Sequence, residues 1–201
     1  GFELQQGVTL VMKSMMFGLV TDLWGDAPYS MALKGTEGTP EATFPVFDTQ
    51  ETIYRGILDD LERANQLLSK PLSEYNSTIQ GADVYYNGDP AKWRKLANSL
   101  KLRYLMRVSD KLPDFAKQGI EAILANPAQY PIITATADDA SMGFAGISND
   151  TSWPNNTRFD ANESNYRRIK MCATLVESLR SKNDPRIGVW ANRVQIPLVV
   201  D

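Results

Sequence analysis

The sequence predicts an all-α protein built of helical hairpins joined by long ordered loops, and three observations carry that reading. Five stretches repeat apolar residues at three- and four-residue spacings, the period of a helix with one buried face. Most of them open or close on a helix signal: a capping side chain, a proline at the first helical position, or an Asn-Pro or Asp-Pro stop. Only one short run, Ile132-Ile-Thr-Ala-Thr136, has the character of a strand.

Taken in order, Leu4, Val8, Val11, Met12, Met15 and Leu19 predict a first helix over 3–20. The segment from Thr21 to Phe47 is broken by Asp22, Gly25, Pro28, Gly35, Pro40 and Pro45. That is too punctuated for regular structure. With Trp24, Tyr29, Phe44 and Phe47 it is also too aromatic for disorder. It reads as a long loop packed onto the helices.

Asp48-Thr-Gln-Glu51 has the form of a capping box and opens a second helix to about residue 69. Its stripe is Ile53, Ile57, Leu61, Ala64 and Leu68. The third helix, over 90–109, starts from an Asp89 cap with Pro90 in the first helical position. Trp93, Leu96, Ala97, Leu100, Tyr104 and Val108 make one apolar face. Leu102, Leu105 and Met106 lie elsewhere around the axis, which predicts a central helix touched from more than one side. Pro113 begins a fourth helix to residue 126, stopped by Asn126-Pro127. The region 127–165 reads as mostly irregular, and a last helix over 165–181 ends before Asp184-Pro185-Arg186.

A chain of 201 residues, 43% apolar and 22% charged, has the size and composition of one globular domain with a substantial core. A net charge of −3 argues against a general nucleic-acid binder, so the bases from Lys92 to Arg107 read as a solvated helix face. No histidine is present, which removes Ser-His-Asp and Cys-His catalysis and zinc sites of the His/Cys type. The single Cys172 permits no internal disulfide and, inside an apolar pattern, reads as a buried structural thiol. No apolar run reaches membrane-spanning length.

An enzyme would have to use carboxylate pairs such as Asp22/Asp26 or Asp138/Asp139. Aspartates in turn-rich loops are commonly local caps, so no catalytic residue is assigned. Asp138 and Asp139 are the remaining place for a calcium ion, without an EF-hand pattern around them, and no cofactor is called for. The best ligand-binding stretch is Ser152-Trp-Pro-Asn-Asn-Thr-Arg-Phe159. There the rings of Trp153 and Phe159 can cover the apolar face of a sugar while Asn155, Asn156 and Arg158 direct hydrogen bonds. The competing reading is that Trp153 and Phe159 pin a loop to the helices.

Arg103 and Arg107 fall on or beside the apolar face of the third helix and need carboxylate or carbonyl partners unless they reach its edge. Asp22 and Asp26 flank Trp24. Docking Trp24 against Trp93, Leu100 and Tyr104 would bring an aspartate to an arginine, so these four residues are the expected structural ion pairs.

Several pieces, in order, resemble one family, the SusD/RagB nutrient-binding outer-membrane lipoproteins in their SusD-like branch. They are Asp22-Leu-Trp-Gly-Asp-Ala-Pro-Tyr29, Phe44-Pro-Val-Phe-Asp-Thr-Gln50 with Ile53-Tyr54, and Asp59-Asp-Leu-Glu-Arg-Ala64. Asp83-Val-Tyr-Tyr-Asn-Gly-Asp89, Trp93, Asn98-Ser-Leu-Lys-Leu-Arg103 with Met106-Arg107, and Asp184-Pro-Arg186 continue the series. The resemblance implies tetratricopeptide-like hairpins, and Trp93, Leu96, Ala97 and Leu100 resemble one part of such a repeat. It implies that residues 1–201 are a single all-α region of a larger SusD-like domain, truncated at both ends and lacking the family's lipid-bearing cysteine. Membrane attachment would then come only through that anchor. It further implies a non-catalytic parent at the outer surface of a Bacteroidota-type cell, capping a SusC-like TonB-dependent transporter and passing it glycans or peptides. The alternative function is a helical-repeat scaffold that binds a peptide or protein partner.

Overall fold

The computed structural model describes residues 1–148, 150–151 and 170–190. It divides into two compact units, Gly1–Met142 and Gly143–Asp201.

In the first unit, α1 (Glu3–Trp24), α3 (Gln50–Leu67), α4 (Pro90–Val108) and α5 (Pro113–Ala125) form two hairpins, and α2 (Pro40–Thr43) is a single turn inside the first connection. Helix α4 packs against α1, α3 and α5, the central position its two-sided apolar pattern predicts. Trp93, Leu96, Ala97, Leu100, Tyr104 and Val108 are all buried, as are Ile53, Ile57, Leu61, Ala64 and Leu68 from α3 and its end. Asp89 accepts hydrogen bonds from the N–H groups of Ala91 and Lys92, with Pro90 at the start of α4. The cap of α3 is Thr49, which accepts from the Thr52 N–H. Asp48 is not the cap, because its carboxylate is already occupied by the N–H groups of Tyr29 and Ser30 at 2.9 and 2.8 Å.

Helix α1 departs most from its sequence pattern. It runs to Trp24, so Asp22 and Trp24 stand on a helix and not in a loop. Its buried stripe is Leu4, Gly7, Val11, Ser14, Gly18 and Thr21, mostly small residues at alternating three- and four-residue steps. A Cβ at Gly7 would come within 2.7 Å of the Leu68 side chain, and one at Gly18 would collide with the Tyr104 ring. Those gaps let α1 approach α3 and α4 closely, with large side chains supplied by the partners. Leu19, assigned to the buried stripe by periodicity, is 54% exposed, and Met16 and Leu23 are exposed beside it.

Among the described residues there is no strand; Ile132–Ile133 is extended, with the Ile133 N–H donated to the Ser99 hydroxyl at 2.9 Å. The second unit contains α6 (Ala173–Ser181) and α7 (Ile187–Trp190). The first residues of the helix expected over 165–181 lie outside the described residues. Cys172 is exposed just ahead of α6, a correction to the buried thiol: the helix starts after it and no apolar wall covers it. The side chain of Arg186 binds Asp184 and holds that carboxyl down to about 2, and its guanidinium stacks 5.0 Å from the Trp190 ring.

Candidate functional site

The first connection, between α1 and α3, is built from its two ends inward. Gly25, at positive φ, turns the chain out of α1, and its N–H bonds back to the Thr21 carbonyl at 2.8 Å. Ala27 and Asp48 form an isolated antiparallel bridge. The Gln50 amide donates to the Thr21 carbonyl at 2.7 Å, and the Gln50 N–H to the Asp26 carboxylate at 2.9 Å. Tyr29 inserts its ring edge-on to Phe17 and over Gly56, and its hydroxyl donates to Asp60. Burial first, then the Asp60 carboxylate, pushes the Tyr29 hydroxyl well above the ordinary phenol range. Asp48 is held below the usual carboxylate range by the Ser30 N–H, helped by the Tyr29 N–H and the Ser30 hydroxyl.

Large side chains turn outward both at the end of α1 and in the segment beyond this neck. Trp24 is 71% exposed, Phe44 81% and Phe47 72%, with Leu33 and Val46 also exposed. Of the four aromatic residues expected to pack onto the helices, only Tyr29 does so. Trp24 does not dock on Trp93, Leu100 and Tyr104, because that face is filled by the buried stripe of α1 and by α3. Exposed rings on a loop fixed at its base are the arrangement by which rigid scaffolds present binding side chains.

Arg107 donates to Asp22, and the Tyr54 hydroxyl donates to the other oxygen of the same carboxylate. The pair is open to solvent, with side-chain exposures of 42% for Arg107 and 23% for Asp22. Asp22 raises the Arg107 guanidinium further above its ordinary value. Arg103 is exposed, and Asp26 is engaged by Gln50 and by no arginine. Neither arginine is on the buried face: Leu105 and Val108 continue that face past Tyr104, while Arg103 and Arg107 reach water beside it.

The other bases of α4 are not merely solvated. Arg94 donates to Asn65 and to the Gln129 carbonyl, Lys92 to the Ala137 carbonyl and Lys95 to Asp138 at 2.7 Å. Asp138 is therefore committed to an ion pair, and Tyr86, pushed up to about 12 mainly by burial, donates to its carbonyl. No group of three or more potential metal-ligating His, Cys, Asp or Glu side chains occurs among the described residues. Nor is any helix there long and apolar enough to cross a membrane. Trp153, Asn155, Asn156, Arg158 and Phe159, the ligand stretch expected from sequence, lie outside the described residues. Sequence reasoning listed Trp24, Phe44 and Phe47 as packing residues; the signal against that was the polar, proline-rich setting around them, which offers no helix face to bury them.

The fold and this surface define an all-α scaffold that presents aromatic side chains to solvent. Residues 3–196 match the family model for SusD-like proteins, described as starch-binding and associating with the outer membrane, and the chain belongs to that family. Among solved structures it is similar to a SusD homologue of Bacteroides fragilis, with TM-score 0.71 and 23% identity over 92% of this chain and 36% of that one. It is also similar to a chitin-binding protein, with TM-score 0.67 and 28% identity over 90% and 35% of the two chains. A SusD homologue of Bacteroides uniformis is 31% identical, with TM-score 0.58 over 71% and 28%. The chain thus spans about a third of the length of the solved structures it matches. No match is found among curated proteins.

Proposed function

We propose that this chain is a non-catalytic, glycan-binding part of an outer-membrane nutrient-uptake system of the SusC/SusD type, working at the cell surface with a SusC-like TonB-dependent transporter. The observation that supports it is the set of exposed rings, Trp24 at the end of α1 with Phe44 and Phe47 on the loop that follows, whose base is locked by Asp48, Tyr29 and Gln50. A ring face covering ~100 Å² of a sugar at about 25 cal/mol/Å² gives roughly 2.5 kcal/mol. Millimolar affinity needs about 4 kcal/mol, so more than one ring must converge on the ligand. Trp153 and Phe159, with Asn155, Asn156 and Arg158, are separately proposed as a ligand-binding stretch on the sequence pattern alone.

A peptide or protein partner is the second reading, favoured by the exposed aliphatic side chains Met16, Leu19 and Leu23, which a sugar would not need. Calorimetry with a panel of oligosaccharides and peptides separates the two. Trp24→Ala and Trp153→Ala are each expected to weaken oligosaccharide binding about tenfold or more, the loss of one ring's share of that burial. Binding to peptides alone, unaffected by either substitution, overturns the glycan reading. Turnover of any oligosaccharide overturns the non-catalytic one.

A further inference from the structure

We propose that the loop after α1, which carries Phe44 and Phe47 and begins beside Trp24, discriminates against polyanionic glycans, with Asp26, Glu37 and Glu41 as the specificity-determining residues. The inference rests on the reading of these rings as the ligand platform.

Residues 22–51 contain six acidic side chains, Asp22, Asp26, Glu37, Glu41, Asp48 and Glu51, against one base, Lys34. Three of the six are spoken for by donors that neutralise or enclose them. Asp22 takes Arg107 and Tyr54, Asp48 takes Ser30 and the Tyr29 N–H, and Glu51 takes Arg55 at 2.8 Å. The other three keep their charge toward solvent. Asp26 has only the neutral Gln50 N–H, and Glu37 and Glu41 have no side-chain hydrogen bond or ion pair among the described residues. Lys34, whose ammonium lies 3.6 Å from the Met31 sulfur, is the one base of the segment and leaves two of these three charges unbalanced. Arg103 on α4 and Arg63 on α3 are exposed bases on adjoining elements, and Arg55 on α3 is committed to Glu51.

These charges sit beside the rings by construction. Glu41 is three residues before Phe44 on the α2 turn, which closes through the Phe44 N–H to the Pro40 carbonyl at 2.8 Å. That spacing puts their Cβ atoms about 5–6 Å apart. Glu37 belongs to the short 3-10 turn Gly35–Glu37 that packs on α2, and Asp26 is two residues from Trp24. A carboxylate about 7 Å from a bound anionic group in water weakens its binding about threefold at low salt. Two or three such groups acting together give about tenfold or more. The effect reaches only about 10 Å at 0.1 M salt and about 3 Å at 1 M, so it is set by these neighbours and is erased by salt.

The test uses matched polymers on the whole chain: soluble starch against carboxymethyl starch, and glycol chitin against carboxymethyl chitin, by affinity electrophoresis and calorimetry. The neutral member of a pair is expected to bind about tenfold or more tightly at low ionic strength, with the gap closing near 1 M salt. In the Glu37→Lys/Glu41→Lys double variant the neutral-to-anionic ratio is expected to fall about tenfold or more, with the melting temperature checked first because both side chains are exposed. An anionic polymer that binds as tightly as its neutral parent, still dependent on Trp24, overturns the charge discrimination and leaves the platform standing. Binding by neither neutral polymer overturns the platform and this inference with it.

Discussion

Residues 129–138, which follow α5, and residues 25–49, which join α1 to α3, both lie in the first unit with no helix longer than a single turn, yet they are held in opposite ways. The first is fastened along its length by α4. Arg94 binds the Gln129 carbonyl, Asn98 the Pro131 carbonyl, Ser99 the Ile133 N–H, Lys92 the Ala137 carbonyl and Lys95 the Asp138 carboxylate. The second is fastened at its neck and bare beyond it. Backbone that is satisfied at every second or third residue has nothing left to offer a ligand. A loop tied only at its base can hold side chains in water at a fixed place. The difference separates a segment that completes the core from the one proposed to meet a ligand.

The comparison breaks most sharply at Asn98, which is fully buried and donates to both Asn65 and Pro131 at 3.0 Å. Asn98→Ala is expected to cost about 1–3 kcal/mol by leaving the Pro131 carbonyl without its donor, while the Asn65 oxygen keeps Arg94. Hydrogen exchange should rise over 129–133 and stay unchanged over 25–49; equal effects on both segments would show that they are not independently held. At the neck, Asp48→Ala is expected to cost about 1–2 kcal/mol, comparable to losing a helix cap, with faster exchange at Tyr29 and Ser30 and none added at 129–138.

Acid acts on the same point. The folded Asp48 carboxyl titrates below its unfolded value of about 3.9. Its stabilisation is therefore full above that value and lost as pH falls through the folded one. At Asp83 burial pushes the carboxyl up, but the Trp93 indole and the Gly88, Tyr85 and Tyr86 N–H groups outweigh it and hold the carboxyl low. It follows the same direction. Pepsin cleavage within 31–47 should increase as pH drops below about 4. A rate that stays flat there would show that Asp48 does not hold the neck.

Smaller effects sharpen the distinction. Arg107→Ala removes an exposed pair and is expected to cost at most ~1 kcal/mol in thermal unfolding. A loss of 3 kcal/mol or so would mean that the Asp22 pair is shielded as a buried one is. Trp24→Ala should change stability by no more than about 0.5 kcal/mol, since the ring covers no core, while weakening ligand binding. A clear loss of stability would place Trp24 with the pinned segment.

The sequence by itself determined the four long helices of the first unit and most of their buried stripes, because Asp89, Pro90 and Pro113 mark helix starts and α3 and α4 repeat large apolar residues at helical spacing. It carried the family as well, through ordered pieces spread from Asp22 to Arg186. Tertiary structure decided what those patterns left open. The stripe of α1 joins Gly7, Ser14, Gly18 and Thr21 to Leu4 and Val11, because close approach of Leu68 to Gly7 and of Tyr104 to Gly18 leaves no room for a side chain at those two positions. Periodicity ranks residues by hydrophobicity and has no record of how near the partner helix comes. The same limit hid the platform: a ring in a loop reads as apolar whether it is buried or displayed. Only the hydrogen bonds closing the neck at Asp48 and Gln50 turn Phe44 and Phe47 outward.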